Sequence, residues 1–143
     1  MIYSISKGVL SKDTGEVILE HCYAGGDHGK RPDAVNNPTM CSVRPDVGPL
    51  PMGKYTVGPY QPHCAAVSSP AFELIPDPKN SMFGGSGFYI HYANPTRDAG
   101  RPPYPPTPGR NSSDGCIVSV TPGSLLSVGV VRAAGESNLT VGE

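Results

Sequence analysis

Cys116 and His91, 25 residues apart, are the pair of side chains that could do chemistry together. A thiol attacks a carbonyl only as its anion, and an ordinary cysteine, with a pKa of about 8.5, is only a few per cent ionised at neutral pH. An imidazole that takes the proton raises that fraction. Gly115 stands just before the cysteine, where the absence of a Cβ lets the backbone come close to a bound group. The N–H groups of Gly115 and Cys116 are then candidates to face a developing oxyanion. Taken singly, a strand cysteine and a strand histidine are more often satisfied core residues. Taken together, with Ser113-Asp114-Gly115 leading into Cys116, they point to a nucleophile and its base.

Two strands must carry them. His91 lies in Gly-Phe-Tyr-Ile-His-Tyr (87–92), an aromatic and β-branched run that predicts a strand. Ile117–Val120 reads as a buried strand that Cys116 enters from a loop. Further strands are expected over 2–10 and 16–23, forming a hairpin about the Asp13-Thr14-Gly15 turn, with Ile5, Val9, Val17 and Leu19 on its inner face. Others follow after the Gly48–Gly53 turn and at Ala71–Ile75. Thr121-Pro122 has the residue types of a helix start, and a helix is expected to run to about Ala134. Leu139–Val141 reads as a closing edge strand. The fold expected is mainly β, a small barrel or sandwich with one short helix after the Cys116 strand, in a single domain over 1–143. The stretches 24–47 and 93–112 are too long and polar for ordinary connections and are expected to wall the Cys116 cleft.

Composition narrows the function classes. The 18 glycines and 17 prolines punctuate apolar runs without any repeat, as in a small β protein with many turns. The net charge of −1 and the lack of a basic run argue against nucleic-acid binding. No apolar stretch approaches the roughly 20 residues of a membrane helix. The opening Met-Ile-Tyr-Ser-Ile-Ser-Lys lacks the pattern of a secretory leader, so export is expected to depend on other machinery. With Cys116 kept as a thiol, Cys22, Cys41 and Cys64 allow at most one internal disulfide, and the sequence does not choose the pair. His21, Cys22, His28, Cys41, His63 and Cys64 supply soft ligands, but not at zinc-ribbon spacing, and no metal or cofactor is expected.

Ser113-Asp114-Gly115-Cys116 resembles the S-x-G-C signature of the YkuD-like L,D-transpeptidases, and Phe88-Tyr89-Ile90-His91 resembles the strand that carries their histidine. Asn37–Met40, Gly48–Tyr55, Pro76-Asp77-Pro78 and Met82-Phe83-Gly84 are similar to one branch, effectors delivered by bacterial type VI secretion. The likeness spans about Tyr23 to Val118. It implies that Cys116 is the nucleophile, His91 the base, Gly115 and Cys116 the oxyanion donors, and Ser113 a shaper of the loop. Asp114 stands where housekeeping members have a second histidine. Tyr92 replaces a common glycine after the histidine, and would narrow the pocket or stack on substrate. Val118 and Ser119 stand where an arginine is usual, so a carboxylate clamp would come from Arg97, Arg101 or Arg110.

The activity so implied is L,D-carboxypeptidase or D-amino acid exchange on the tetrapeptide stems of peptidoglycan. The resemblance also implies delivery into a target cell's periplasm and a cognate immunity protein as partner. Alternatives are a crosslinking housekeeping enzyme and a non-catalytic β module that grips cell wall or a partner protein. A papain-like peptidase fits less well, because its cysteine precedes its histidine and opens a helix.

Overall fold

The computed structural model describes residues 1–27, 30–41, 47–67, 69–92, 115–119 and 125–143. Among these residues it is mainly β, with eight strands in one mixed sheet and a single α-helix. The strands are β1 (Ile2–Ser4), β2 (Val9–Ser11), β3 (Val17–Leu19), β4 (Gly53–Cys64), β5 (Ser69–Pro76), β6 (Phe88–Tyr92), β7 (Ile117–Ser119) and β8 (Asn138–Gly142). The helix, α1, is Leu125–Ala133 and follows the Cys116 strand. The order across the sheet is β3-β2-β1-β8-β4-β5-β6-β7. The β1–β8 and β6–β7 pairs are parallel and the others antiparallel.

The sheet's two outer strands are tied to one short stretch of chain. Four residues beyond β3, Tyr23 forms an antiparallel bridge with Val118 of β7, through Tyr23 N to Val118 O at 3.1 Å and Val118 N to Tyr23 O at 2.8 Å. The neighbouring Cys22 N–H donates to the carbonyl of Gly8 at 2.9 Å, just ahead of β2. The sheet therefore curls until its edges nearly meet, which hides β7's exposed rim. Helix α1 packs against β3, β4 and β6, strands well separated in the order, as a helix on the concave side of a curled sheet must. Leu125, Val128 and Val131 face inward, and Arg132 Nε donates to the carbonyl of Val57 at 3.0 Å. Gly135, at φ +101°, closes the helix.

One buried cluster takes side chains from all eight strands and the helix, among them Tyr3, Leu10, Phe72, Ile90, Ile117 and Leu139. The long β4 contains Gly58-Pro59, which a regular central strand would not tolerate. The pairing with β5 shifts between Val57 and Tyr60, so this dipeptide sits in a bulge.

Three expectations from sequence are corrected. The run 2–10 is not one strand: Gly8, at φ +63°, closes a turn after Ser4 and splits it into the antiparallel pair β1 and β2. The hairpin about residues 12–16 is therefore β2–β3, and of the four residues expected on the inner face Ile5 and Leu19 are buried, while Val17 is 48 % exposed and Val9 half-buried, with Leu10 buried in its place. The segment at Leu139–Val141 is not an edge. It is the strand between β1 and β4, with Leu139 and Val141 buried. Cys22, Cys41, Cys64 and Cys116 are all thiols, which is consistent with the sequence allowing at most one internal disulfide. The expected helix start at Thr121-Pro122 lies outside the described residues.

Between β3 and β4, Gly25 and Gly48 bring backbone against backbone. A Cβ on Gly48 would fall on the carbonyl of Met40, and one on Gly25 would lie 2.7–2.8 Å from backbone atoms of Ala34, Gly48 and Pro49. Neither neighbour is a flexible side-chain end that could yield. Gly48→Ala is expected to cost about 1–3 kcal/mol by overpacking, seen as a drop of several degrees in Tm. A Tm equal to that of the parent protein would contradict this packing.

Candidate functional site

The register of β6 with β7 decides what stands beside Cys116. Ile90 pairs with Ile117, His91 with Val118 and Tyr92 with Ser119. Paired residues of neighbouring strands share a face, and alternate residues along a strand share it too. Ile90 and Ile117 point into the main core. His91, Tyr89, Val118 and Cys116 therefore occupy the opposite face. His91 and Cys116 are diagonal neighbours there, two residues apart along the strands, which places their Cα atoms about 8 Å apart from strand spacing and rise. An imidazole spans most of such a gap.

The tautomer of His91 follows from its own strand. His91 Nδ1 lies 2.6 Å from the carbonyl oxygen of Tyr92. A carbonyl only accepts, so Nδ1 carries the proton in this contact and the neutral ring has its lone pair at Nε2. Nε2 is the atom able to take a proton from a thiol. The Cys116 thiol makes a weak contact of 3.9 Å to the carbonyl of Gly87 at the start of β6.

Cys116 is held from both sides. Its predecessor Gly115 has φ +115°, and a Cβ there would sit 2.6 Å from Cε1 of Phe88. Only glycine fits this turn. The Gly115 carbonyl accepts from Leu50 N–H at 3.0 Å, so the Gly48–Pro51 turn is fastened to the turn before Cys116. Cys116, Val118 and Tyr23 form a second buried cluster, with Val35, Val67 and Tyr89 packed against it. Cys116 is 7 % exposed among the described residues.

Val35 packs against this cluster, and the polar residues next to it hold the local chain in place. Asn36, at φ +52°, accepts from Ala24 N–H at 2.9 Å and donates through Nδ2 to the carbonyl of Cys22 at 3.0 Å. Asn37 accepts from the N–H of Thr39 at 3.1 Å and from its hydroxyl at 2.7 Å, capping a 3-10 turn over Pro38–Met40. Val35, between these anchors, is the residue that reaches the Cys116 cluster.

Of the residues singled out from sequence, His91, Gly115 and Cys116 come together. Tyr92 does not join them. Strand alternation turns its side chain to the other face, where it packs against the main core, and its part in the site is the carbonyl that His91 contacts. Ser113, Asp114, Arg97, Arg101, Arg110, His28 and the stretch 93–112 lie outside the described residues. Among the described residues, no three His, Cys, Asp or Glu side chains gather as a metal would require.

The sequence reading missed Tyr89 and Glu73. Tyr89 shares a face with His91 by simple alternation, and its register places it level with Cys116. Glu73 pairs directly with Tyr89 across β5–β6. Burial first, then the neighbouring Cys64, Glu73 and Cys116, push the Tyr89 phenol above its ordinary range. The signal for Glu73 was present as well: a lone carboxylate inside Ala-Phe-Glu-Leu-Ile.

The other cysteines offer a chemical contrast. Burial pushes the Cys22 thiol up to about 12 and the Cys41 thiol up to about 11. A shallow groove along β4, β5 and β8, lined by Lys54, Thr56, Ile75, Asp77 and Asn138, includes none of the residues around Cys116. Comparison with models of known families, with curated proteins and with solved structures finds no match.

At pH 8, a thiol with a pKa of about 11 is ionised to about one part in a thousand, and Cys22 less still. Brief treatment of the native protein with iodoacetamide is expected to label Cys116 well before Cys22 and Cys41. Peptide mass spectrometry reads the order, and equal labelling of all three would contradict it. Gly115→Ala is expected to lose about 1–3 kcal/mol through its φ and the Phe88 contact, together with the fast labelling at Cys116. Unchanged labelling with unchanged Tm would overturn that assignment.

Proposed function

We propose that this protein is a cysteine-dependent enzyme acting on peptidoglycan stem peptides, with Cys116 as nucleophile and His91 as base. The observation that carries the reading is the placement of the two side chains on one face of adjacent parallel strands, with the His91 lone pair directed to Nε2 by the Tyr92 carbonyl. The S-x-G-C resemblance supports the choice of reaction.

His91 Nε2 takes the Cys116 proton, and the thiolate attacks the carbonyl at the L-centre of the third stem residue, a diamino acid followed by D-alanine. The backbone N–H groups at Gly115 and Cys116 face the oxyanion that forms. Collapse breaks the C–N bond. The imidazolium returns its proton to the departing amine, so D-alanine leaves and a thioester remains on Cys116. His91 then takes a proton from water, whose oxygen attacks the thioester, giving a tripeptide and restoring the thiol. Attack by the amine of a free D-amino acid gives an exchanged tetrapeptide instead. Transfer to a second stem, which would make a crosslink, is the disfavoured outcome. The branch it resembles damages walls, which also suits delivery by type VI secretion into a target periplasm, with an immunity protein guarding the producer.

Purified tetrapeptide incubated with the protein is expected to lose D-alanine, or to exchange it when another D-amino acid is added, as read by mass spectrometry. Cys116→Ala and His91→Ala are each expected to lower the rate by at least about 100-fold while circular dichroism stays unchanged. Tetrapeptide returned intact under both conditions would overturn the reaction. Full activity in Cys116→Ala would overturn the nucleophile.

A further inference from the structure

A row of side chains crosses the site face at the level of the nucleophile. Cys116 leads into β7, Tyr89 lies level with it on β6, and Glu73 pairs with Tyr89 on β5. The next row runs through Val118, His91 and Ala71. Ala71 and Val118 are fully buried, so that row ends in apolar packing. The Glu73 row does not. Tyr89 and Glu73 are both half-buried, and Glu73 is a carboxylate on an otherwise apolar stretch of β5. Among the described residues it makes no ion pair and no side-chain hydrogen bond: the basic side chains that are paired there are Lys12, with Glu16, and Arg31, with Asp33. Beyond it on β4 stands Gly58, whose added Cβ would lie 3.5 Å from the Glu73 Cβ. The β4 position closest to the Glu73 Cβ is thus one without a side chain.

Spacing gives this carboxylate a use. Two strand separations place the Glu73 Cα about 9.5 Å from that of Cys116. In a diamino acid whose carbonyl is under attack at Cys116, the distal ammonium reaches roughly 7 Å from that carbonyl by standard bond lengths. The aliphatic stem between would cross Tyr89, whose aromatic face suits methylenes.

We propose that Glu73 is a specificity-determining residue that binds the distal ammonium of the stem peptide's diamino acid, with Tyr89 as the surface under its methylene chain. The assignment rests on the stem-peptide reading above and narrows it to substrates whose distal amine is free and charged. It disfavours stems whose distal amine already forms a crosslink. A carboxylate–ammonium hydrogen bond desolvated by the ligand is worth about tenfold or more in binding.

The test uses a matched pair of tetrapeptides, one with a free distal amine and one N-acetylated there, with kcat/KM read as D-alanine release. The parent protein is expected to favour the free amine by about tenfold or more. Glu73→Gln is expected to erase that preference by lowering turnover of the free-amine peptide alone, with the acetylated peptide converted as before. A merely structural role for Glu73 would lower both rates together, which overturns the proposal. Gly58→Leu, which fills the space beside the carboxylate, is expected to reduce the preference in the same direction. Equal conversion of both peptides by the parent protein overturns the role of Glu73 and leaves the reaction standing. Conversion of neither peptide overturns the reaction, and this assignment with it.

Discussion

The parallel pairing of β6 with β7 is the constraint on which the rest of the arrangement depends. It sets His91 diagonal to Cys116 and puts Tyr89 level with that cysteine. Parallel neighbours cannot be joined by a tight turn and need a crossover of a dozen residues or more. The 24 residues between Tyr92 and Ile117 satisfy that requirement. The length of the proline-rich stretch is thus first a demand of topology.

A parallel strand at the end of a sheet exposes one row of backbone groups. Here that rim is closed by Tyr23, and the closure shapes the site. The chain that bridges β7 at Val118 continues directly into the segment covering Cys116, so edge protection and site wall are one stretch of backbone. Gly25, Gly48 and Gly115 mark where this stretch is tightest. Each stands where a Cβ would meet a neighbour too closely, and the Leu50 to Gly115 hydrogen bond fastens the Gly48–Pro51 turn to the turn before Cys116.

The cysteines show that equal burial can come with unlike surroundings. Cys22 and Cys116 are both buried, yet their surroundings differ in kind. Cys22 lies in the main apolar core, where desolvation alone disfavours its anion. Cys116 lies on the other face of the sheet, diagonal to an imidazole whose tautomer is directed by a backbone carbonyl.

The strand content and the glycine turns were legible from residue types, because these depend on neighbours within a few positions. The Phe88–Tyr92 strand and the Ile117 strand announce themselves by β-branched and aromatic composition. What only the tertiary structure decided was which strand lies beside which, and in what register. A one-residue slip reverses every side chain of a strand. That is why Tyr92, next to His91 in sequence, turns away to the core while Tyr89, three residues from Tyr92, stands beside Cys116. It is also why Leu139–Val141, a short terminal run, became a central strand: its place is set by pairing with Ile2–Ser4 at the far end of the chain, a contact that no local pattern encodes.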